Sequence, residues 1–244
     1  MQEINRFSRM QALFGEENMK KLKNSHVAVF GVGGVGGYAA EALARSGVGT
    51  IEIIDNDVVS LTNINRQIIA LSSTVGKNKV DVMKERLLDI NPDCHVIARK
   101  VFFLPETANE FDFSKYDYVV DAVDTVTAKL SIIEEATRRR VPVISSMGTG
   151  NKCNPAELKV TDIYQTKVDP LAKVMRAELK KRNVKKCKVV YSEENPILPL
   201  SPVTDTSKRS APGSTAFVPP VAGFLLASEV VKDLTCFSPK RKGE

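Results

Sequence analysis

The chain has 244 residues, with 35 Lys or Arg against 29 Asp or Glu, a formal charge of +6, and an apolar share of 43%. That length and balance suit one large α/β domain or two small ones, and they exclude a disordered chain, a collagen repeat and a heptad-built rod. Cys94, Cys153, Cys187 and Cys236 form no C-x-x-C pair, which excludes a zinc ribbon and a paired redox disulfide.

The chain opens on Met1-Gln2-Glu3-Ile4-Asn5-Arg6, polar and without the apolar core of a signal peptide, so a reducing cytoplasm is the expected compartment. His26–Phe30 reads as a strand, 31–37 as a glycine-rich turn, Tyr38–Ser46 as a helix and Thr50–Ile54 as a second strand, a βαβ unit. Val80, Met83, Leu87 and Leu88 repeat at helical spacing until Asn91-Pro92, and a short strand follows at His95–Ala98. Tyr116–Val120 and Val141–Ser145 are further strands around a helix at about 125–139. This alternation predicts an α/β, Rossmann-like fold: a mostly parallel sheet with helices on both faces.

Beyond Gly148-Thr149-Gly150 the pattern changes to a strand at Glu157–Ile163, a helix opened by Asp169-Pro170 and a strand near Lys188–Tyr191. The Pro-, Ser- and Thr-rich run 192–220 is expected to be a mobile loop, and a last helix to span about Val221–Leu234. The uncharged stretch Ser210–Ser228 is broken by Pro212, Gly213, Pro219, Pro220 and Gly223, so it reads as buried loop and helix start, not as a membrane span. No 20–50-residue period recurs. The expected organisation is a single domain over 1–244, with a nucleotide-binding half at 1–150 and a basic substrate-binding half at 151–244.

Gly31-x-Gly33-x-x-Gly36 follows a strand and opens a helix, so backbone amides and the helix N-terminus would face a phosphate. Asp55, ending the next strand, can accept from ribose hydroxyls. By itself this motif points to a dinucleotide dehydrogenase. The residues beyond the second strand argue otherwise: Asn63-x-x-Arg66-Gln67, then Lys77-x-Lys79, then Asp121-x-x-Asp124 supply cations and further acids, for which a redox cofactor has little use.

In these runs the chain resembles the E1-like adenylating enzymes, the superfamily of ubiquitin-activating, thiamine and molybdopterin adenylyltransferases, over nearly its whole length. The resemblance implies an E1-type fold in which Gly31, Gly33, Gly34 and Gly36 approach ATP, Asp55 takes its ribose, Asn63, Arg66 and Lys79 hold its phosphates, and Asp124 coordinates Mg²⁺. Fixed cations would stabilise the charge that develops when a carboxylate attacks the α-phosphate and expels pyrophosphate. The family's N-terminal arginine corresponds to Arg9, which in relatives reaches a neighbouring subunit's site and so implies a homodimer. Bland readings exist for Asp57 as a loop cap, Lys77 as a surface charge and Asp121 as a turn residue.

The absent zinc cysteines, the turn Gly148–Lys152 and the segment Asp162–Arg176 make the chain similar to the tRNA threonylcarbamoyladenosine dehydratases. That similarity implies adenylation of a threonyl carboxylate on a modified anticodon-loop adenosine, then ring closure by the carbamoyl group with release of AMP, and no zinc. From residue 150 onward 17 Lys or Arg face 10 Asp or Glu. The cluster Lys173, Arg176, Lys180, Lys181, Arg182, Lys185 and Lys186 is a candidate tRNA surface, unless it is a solvated helix face or a site for an acidic protein. Two alternatives keep the fold: adenylation of a ubiquitin-like sulfur carrier's C-terminal glycine, or a nucleotide-binding partner in sulfur transfer. Cys187, between lysines, is a candidate low-pKa thiol, and Cys236 lies near the tail. His26 and His95 read as structural, and Tyr164, Phe217 and Phe224 as core or base-stacking residues.

Overall fold

The computed structural model describes residues 4–201, 203–204 and 210–238. A seven-stranded sheet runs in the order β3-β2-β1-β4-β5-β7-β6, built from β1 (His26–Phe30), β2 (Thr50–Ile54), β3 (His95–Arg99), β4 (Tyr118–Asp121), β5 (Val143–Ser146), β6 (Leu158–Asp162) and β7 (Lys188–Ser192). All pairings are parallel except β6 on β7, which closes one edge antiparallel. The sheet is therefore the expected Rossmann-like one, with a mixed edge.

Strand β1 lies at the centre, and Val27, Ala28, Val29 and Phe30 are all fully buried. A strand covered on both faces needs this continuous apolar run. Val27 and Val29 pack with α3 (Gly36–Arg45), α4 (Lys79–Ile90) and α7 (Val218–Thr235). Ala28 and Phe30 face the other way, onto an aromatic cluster of Phe103, Phe111, Phe113 and Tyr116 and onto α5 (Val126–Arg139). On that same side Met175 and Leu179 of α6 (Pro170–Lys181) meet Leu130 and Ile133 of α5.

Two helices were not anticipated: α1 (Ser8–Phe14) and α2 (Glu16–Asn24). The first buries no residue and the second only Leu22; Met10, Phe14 and Met19 are only partly buried against the core, so the apolar stripe is short and split between two helices of seven and nine residues. Helix α7 begins three residues before the expected start. Pro219 and Pro220 occupy its first turn, where a missing N–H breaks no intrahelical bond.

The run 192–220 is also more structured than expected. It contains the two-residue pair β8 (Val203–Thr204) and β9 (Ser210–Ala211). It is tied back to the domain by Ile197 N–H on Asn151 O (2.7 Å) and by Asn151 N–H on Gly213 O (2.7 Å). Positions 202 and 205–209 of that run lie outside the described residues. Among the described residues no helix is long and apolar enough to cross a membrane.

Candidate nucleotide-binding site

In strand order the chain leaves β1 toward β2 on one side, while β4 pairs on the other, so a crevice opens where the connections diverge. Open α/β sheets bind ligands at this switch, beyond the carboxyl ends of the strands. A cavity of about 600 Å³ sits there, walled by the residues that follow β1, β2, β4 and β5.

The glycine turn forms its floor. Gly31, Gly33 and Gly34 line the cavity, and a Cβ on Gly33 would project into open space, meeting only Gln67 Nε2 at 3.8 Å. A side chain there would fill the cradle. Gly36 is not a lining residue: it is the buried first residue of α3, where a Cβ would stand 1.8 Å from Gly31 O. Its part is to let the turn fold onto the helix. Asp55 Oδ2 accepts from Val32 N–H (2.7 Å) and Oδ1 from Asp57 N–H (2.8 Å), so this carboxylate shapes the turn as well as facing the cavity.

The segment after β2 brings the cations in. A 3₁₀ turn at Leu61–Asn63 is closed by Asn63 Oδ1, which accepts from Ser60 N–H (3.0 Å). Arg66 comes next, half-buried, its Nη1 donating to Thr62 O (3.0 Å) and Asn65 Oδ1 (2.9 Å). Burial pulls the guanidinium pKa down from its ordinary value. A desolvated cation in a crevice gains most from an anionic ligand.

Lys79, the first residue of α4, is buried and reaches Asp57 Oδ2 at 2.6 Å, while Asp57 itself is largely exposed on the rim. Asp57 is thus more than a loop cap. Asp124 lines the cavity beyond β4 and accepts from Thr125 Oγ1 (3.3 Å). Its loop is anchored from below by Asp121, fully buried, whose Oδ2 accepts from Lys129 Nζ (3.0 Å) and Ser145 Oγ (2.5 Å). Asp121 is therefore a bracket between β4, α5 and β5 as well as a strand-end turn residue, its Oδ1 accepting from Val123 N–H (3.2 Å).

Arg9 stands apart: it is exposed on α1 and does not line the cavity. Several lining residues had escaped the sequence reading. Gln67 is 6% exposed and its Oε1 has no protein partner, an orphaned polar atom beside the glycine cradle. Its place within the Arg66-Gln67 run was the available signal. Val101, Phe102 and Phe103 form an apolar wall, and Ser146–Gly150, Leu171, Pro212 and Ser214 enclose the far half. The orphaned oxygen, the open cradle and the paired cations fit a nucleotide. Three carboxylates line the cavity: Asp55 is engaged by the glycine turn and Asp57 by Lys79, which leaves Asp124, plus whatever phosphate supplies, as the donor set for a divalent ion; among the described residues no group of three His, Cys, Asp or Glu converges. That is how Mg²⁺ is usually held beside a nucleotide.

The basic cluster divides. Arg176 donates to Thr166 O (3.0 Å), Lys181 pairs with Glu178 (2.6 Å), and Arg182 with Glu178 (2.6 Å) and Glu134 (3.3 Å). Lys173, Lys180, Lys185 and Lys186 are exposed with no ion-pair partner among the described residues. Cys187 corrects the expectation of a reactive thiol: it is buried, and burial pushes its pKa up to about 12, since the low dielectric disfavours thiolate despite the flanking lysines.

A redox dinucleotide has little use for two cations and an acid together in this glycine turn's crevice, whereas a triphosphate with its metal ion engages all three, and that combination fits the E1-like adenylating class. The chain belongs to the ThiF family, whose model matches residues 7–243. It is 48% identical over 241 residues to the tRNA threonylcarbamoyladenosine dehydratase of Bacillus subtilis (strain 168), covering 95% of each chain. The enzyme of that name from Haemophilus influenzae is 35% identical, with 94% of this chain and 93% of the relative covered. Among solved structures, E. coli tRNA N6-threonylcarbamoyladenosine dehydratase in complex with AMP superposes with a TM-score of 0.86 at 36% identity, over 95% of this chain and 94% of that one. The same protein has been solved with ATP, at the same score and identity.

Proposed function

We infer that this chain is an ATP-dependent tRNA threonylcarbamoyladenosine dehydratase. The observation that carries the reading is that Arg66, Lys79 and Asp124, far apart in sequence, line one crevice with the glycine turn, in a chain collinear with relatives of that name. The substrate's threonyl carboxylate attacks the α-phosphorus of ATP, pyrophosphate leaves, and an acyl-adenylate results. The carbamoyl group then attacks the activated carbonyl, the ring closes and AMP departs, so one water is lost from the base for each ATP split to AMP and pyrophosphate.

The residues have separate tasks. Gly31, Gly33 and Gly34 admit the nucleotide by backbone, and Asp55 accepts from the ribose. Arg66 and Lys79 meet the phosphates, with Lys79 released from Asp57 as an anion arrives. Asn63, its Oδ1 spent on Ser60, holds the shape of the turn that presents Arg66. Asp124 with the phosphates would hold Mg²⁺, which neutralises charge on the leaving pyrophosphate. Val101 and Phe102 give an apolar wall for the purine, and the Ser146–Gly150 side receives the threonyl arm. Substrate tRNA puts this work in the cytoplasm. Arg9, exposed and remote from its own crevice, fits a homodimer in which it serves the partner's site.

The test is nucleoside mass spectrometry of tRNA carrying threonylcarbamoyladenosine after incubation with protein and Mg²⁺-ATP. The expected result is ATP-dependent loss of one water, reduced at least about 100-fold in Arg66→Ala and Asp124→Ala, the scale of removing a group that stabilises transition-state charge. Wild-type turnover by Arg66→Ala would sink the assignment. Pyrophosphate release only on addition of a Gly-Gly-ending carrier protein would replace it with the carrier reading.

A further inference from the structure

The far half of the crevice is walled by Pro212 and Ser214, from the strap that precedes α7. Two asparagines hold this strap. Asn151, in the left-handed region at φ 57°, accepts from Gly213 N–H through Oδ1 (2.6 Å) and donates its own N–H to Gly213 O (2.7 Å). Gly150 closes tightly on the same place, since a Cβ there would lie 2.9 Å from Pro212 Cβ. This anchor belongs to the acceptor side alone.

Asn65 is different because it touches both halves. Its Nδ2 donates to Ser214 O (3.0 Å), and its Oδ1 accepts from Arg66 Nη1 (2.9 Å). One exposed amide thus spans the phosphate arginine and the acceptor wall. Arg66 has a second hold on Thr62 O, so Asn65 is not needed to keep the guanidinium in the crevice. Resting on the dehydratase reading, we propose that Asn65 is a positioning residue that couples occupancy of Arg66 by the triphosphate to the placement of the Pro212–Ser214 wall against the tRNA-borne threonyl arm. When a phosphate orients Arg66, the amide is fixed at its oxygen end, and its nitrogen end fixes Ser214. Nucleotide and modified tRNA then bind with positive coupling, and linkage makes the coupling reciprocal.

The experiment measures the dissociation constant of tRNA carrying threonylcarbamoyladenosine with and without α,β-methylene-ATP, for the wild type, Asn65→Ala and Asn65→Asp. The analogue is expected to tighten tRNA binding by about tenfold in the wild type, within the usual range of site-to-site coupling. Both variants should lose that factor to less than about twofold. Asn65→Ala should keep its affinity for the analogue alone within about twofold of the wild type, whereas Asn65→Asp should bind the analogue more weakly, because its carboxylate pairs with Arg66 and repels phosphate. Its coupling is therefore read as the ratio of tRNA affinities at saturating and zero analogue. Asn65→Asp is the sharper test, because it keeps an acceptor for Arg66 and removes the donor to Ser214. Retention of the coupling by Asn65→Asp would make Asn65 a partner of Arg66 only and overturn the proposal, as would an uncoupled wild type. Dehydration by the wild type is assayed on the same tRNA: if water is lost and the variants stay coupled, the proposal alone falls; if no water is lost, the dehydratase reading falls with it.

Discussion

Lys152 and Asp169 form an ion pair with both side chains 1% exposed, Nζ to Oδ2 2.6 Å, outside the crevice but against its wall. Asp169 does two further things: Oδ1 caps α6 at Ala172 N–H (2.8 Å), and Oδ2 lies where a Cβ on Gly148 would come within 3.3 Å. Removing one partner of such a pair strands a buried charge, which costs about 3–5 kcal/mol, far more than an exposed pair contributes. Lys152→Met is therefore expected to lose about that much stability in urea titration, and a loss below about 1 kcal/mol would mean that water reaches Asp169 in the native state. The sequence showed Asp169 as a helix cap and Lys152 only as part of a turn. Asp55 was legible because it follows a strand end, where side chains emerge toward the crevice, whereas Arg66, Lys79 and Asp124 were legible through the resemblance of their runs to the E1-like enzymes. Asp57, Gln67 and Phe102 were not, because their roles depend on segments that meet only in the folded chain. The pairing of Asp57 with Lys79, for example, is set by the bridge between Val58 and Asn78.

At the scale of elements, the glycine turn is placed by the contact of α3 with α7. Gly223 is the point of closest approach: a Cβ there would lie 2.3 Å from Val35 O and 2.9 Å from Tyr38 Cβ. Neither neighbour is the far end of a flexible chain, so the helices must part to admit a methyl group. Gly223→Ala should therefore cost about 1–3 kcal/mol by overpacking, although alanine is the better helix former. It should also weaken ATP binding, since α3 carries the turn on its first residue. Both effects are read from one thermal-shift series with and without ATP; a variant with unchanged melting and an unchanged ATP shift would show that α7 does not fix α3. The central strands were legible from their apolar runs because burial on both faces leaves no other composition. The start of α7 was missed because two prolines resemble a break, and α1 and α2 were missed because almost nothing in them is buried. The antiparallel β6 was legible as a strand but not in its direction, which is set by the edge it joins.

The whole molecule raises two questions, how many chains make a site and where the tRNA lies. If Arg9 serves the partner's crevice, Arg9→Ala and Arg66→Ala damage opposite sides of each site. A mixed dimer then keeps one intact site, and random exchange should restore about a quarter of wild-type activity from two inactive proteins under two-fold symmetry. No recovery after verified subunit exchange would place Arg9 in its own subunit's site or in none. The tRNA surface is set by charge that the protein has not already neutralised. Lys181 and Arg182 spend their charge on Glu178 and Glu134, whereas Lys180, Lys185 and Lys186 project with no ion-pair partner among the described residues. A lysine that meets a phosphate releases a counterion, so each lost contact lowers the slope of log affinity against log salt by about 0.7–0.9. The triple exchange Lys180→Glu, Lys185→Glu, Lys186→Glu should therefore flatten that slope by about 2–3, while Lys181→Gln with Arg182→Gln should leave it nearly unchanged. The opposite ranking would move the tRNA onto the paired side of α6, and an unchanged slope in both would remove this helix from the interface.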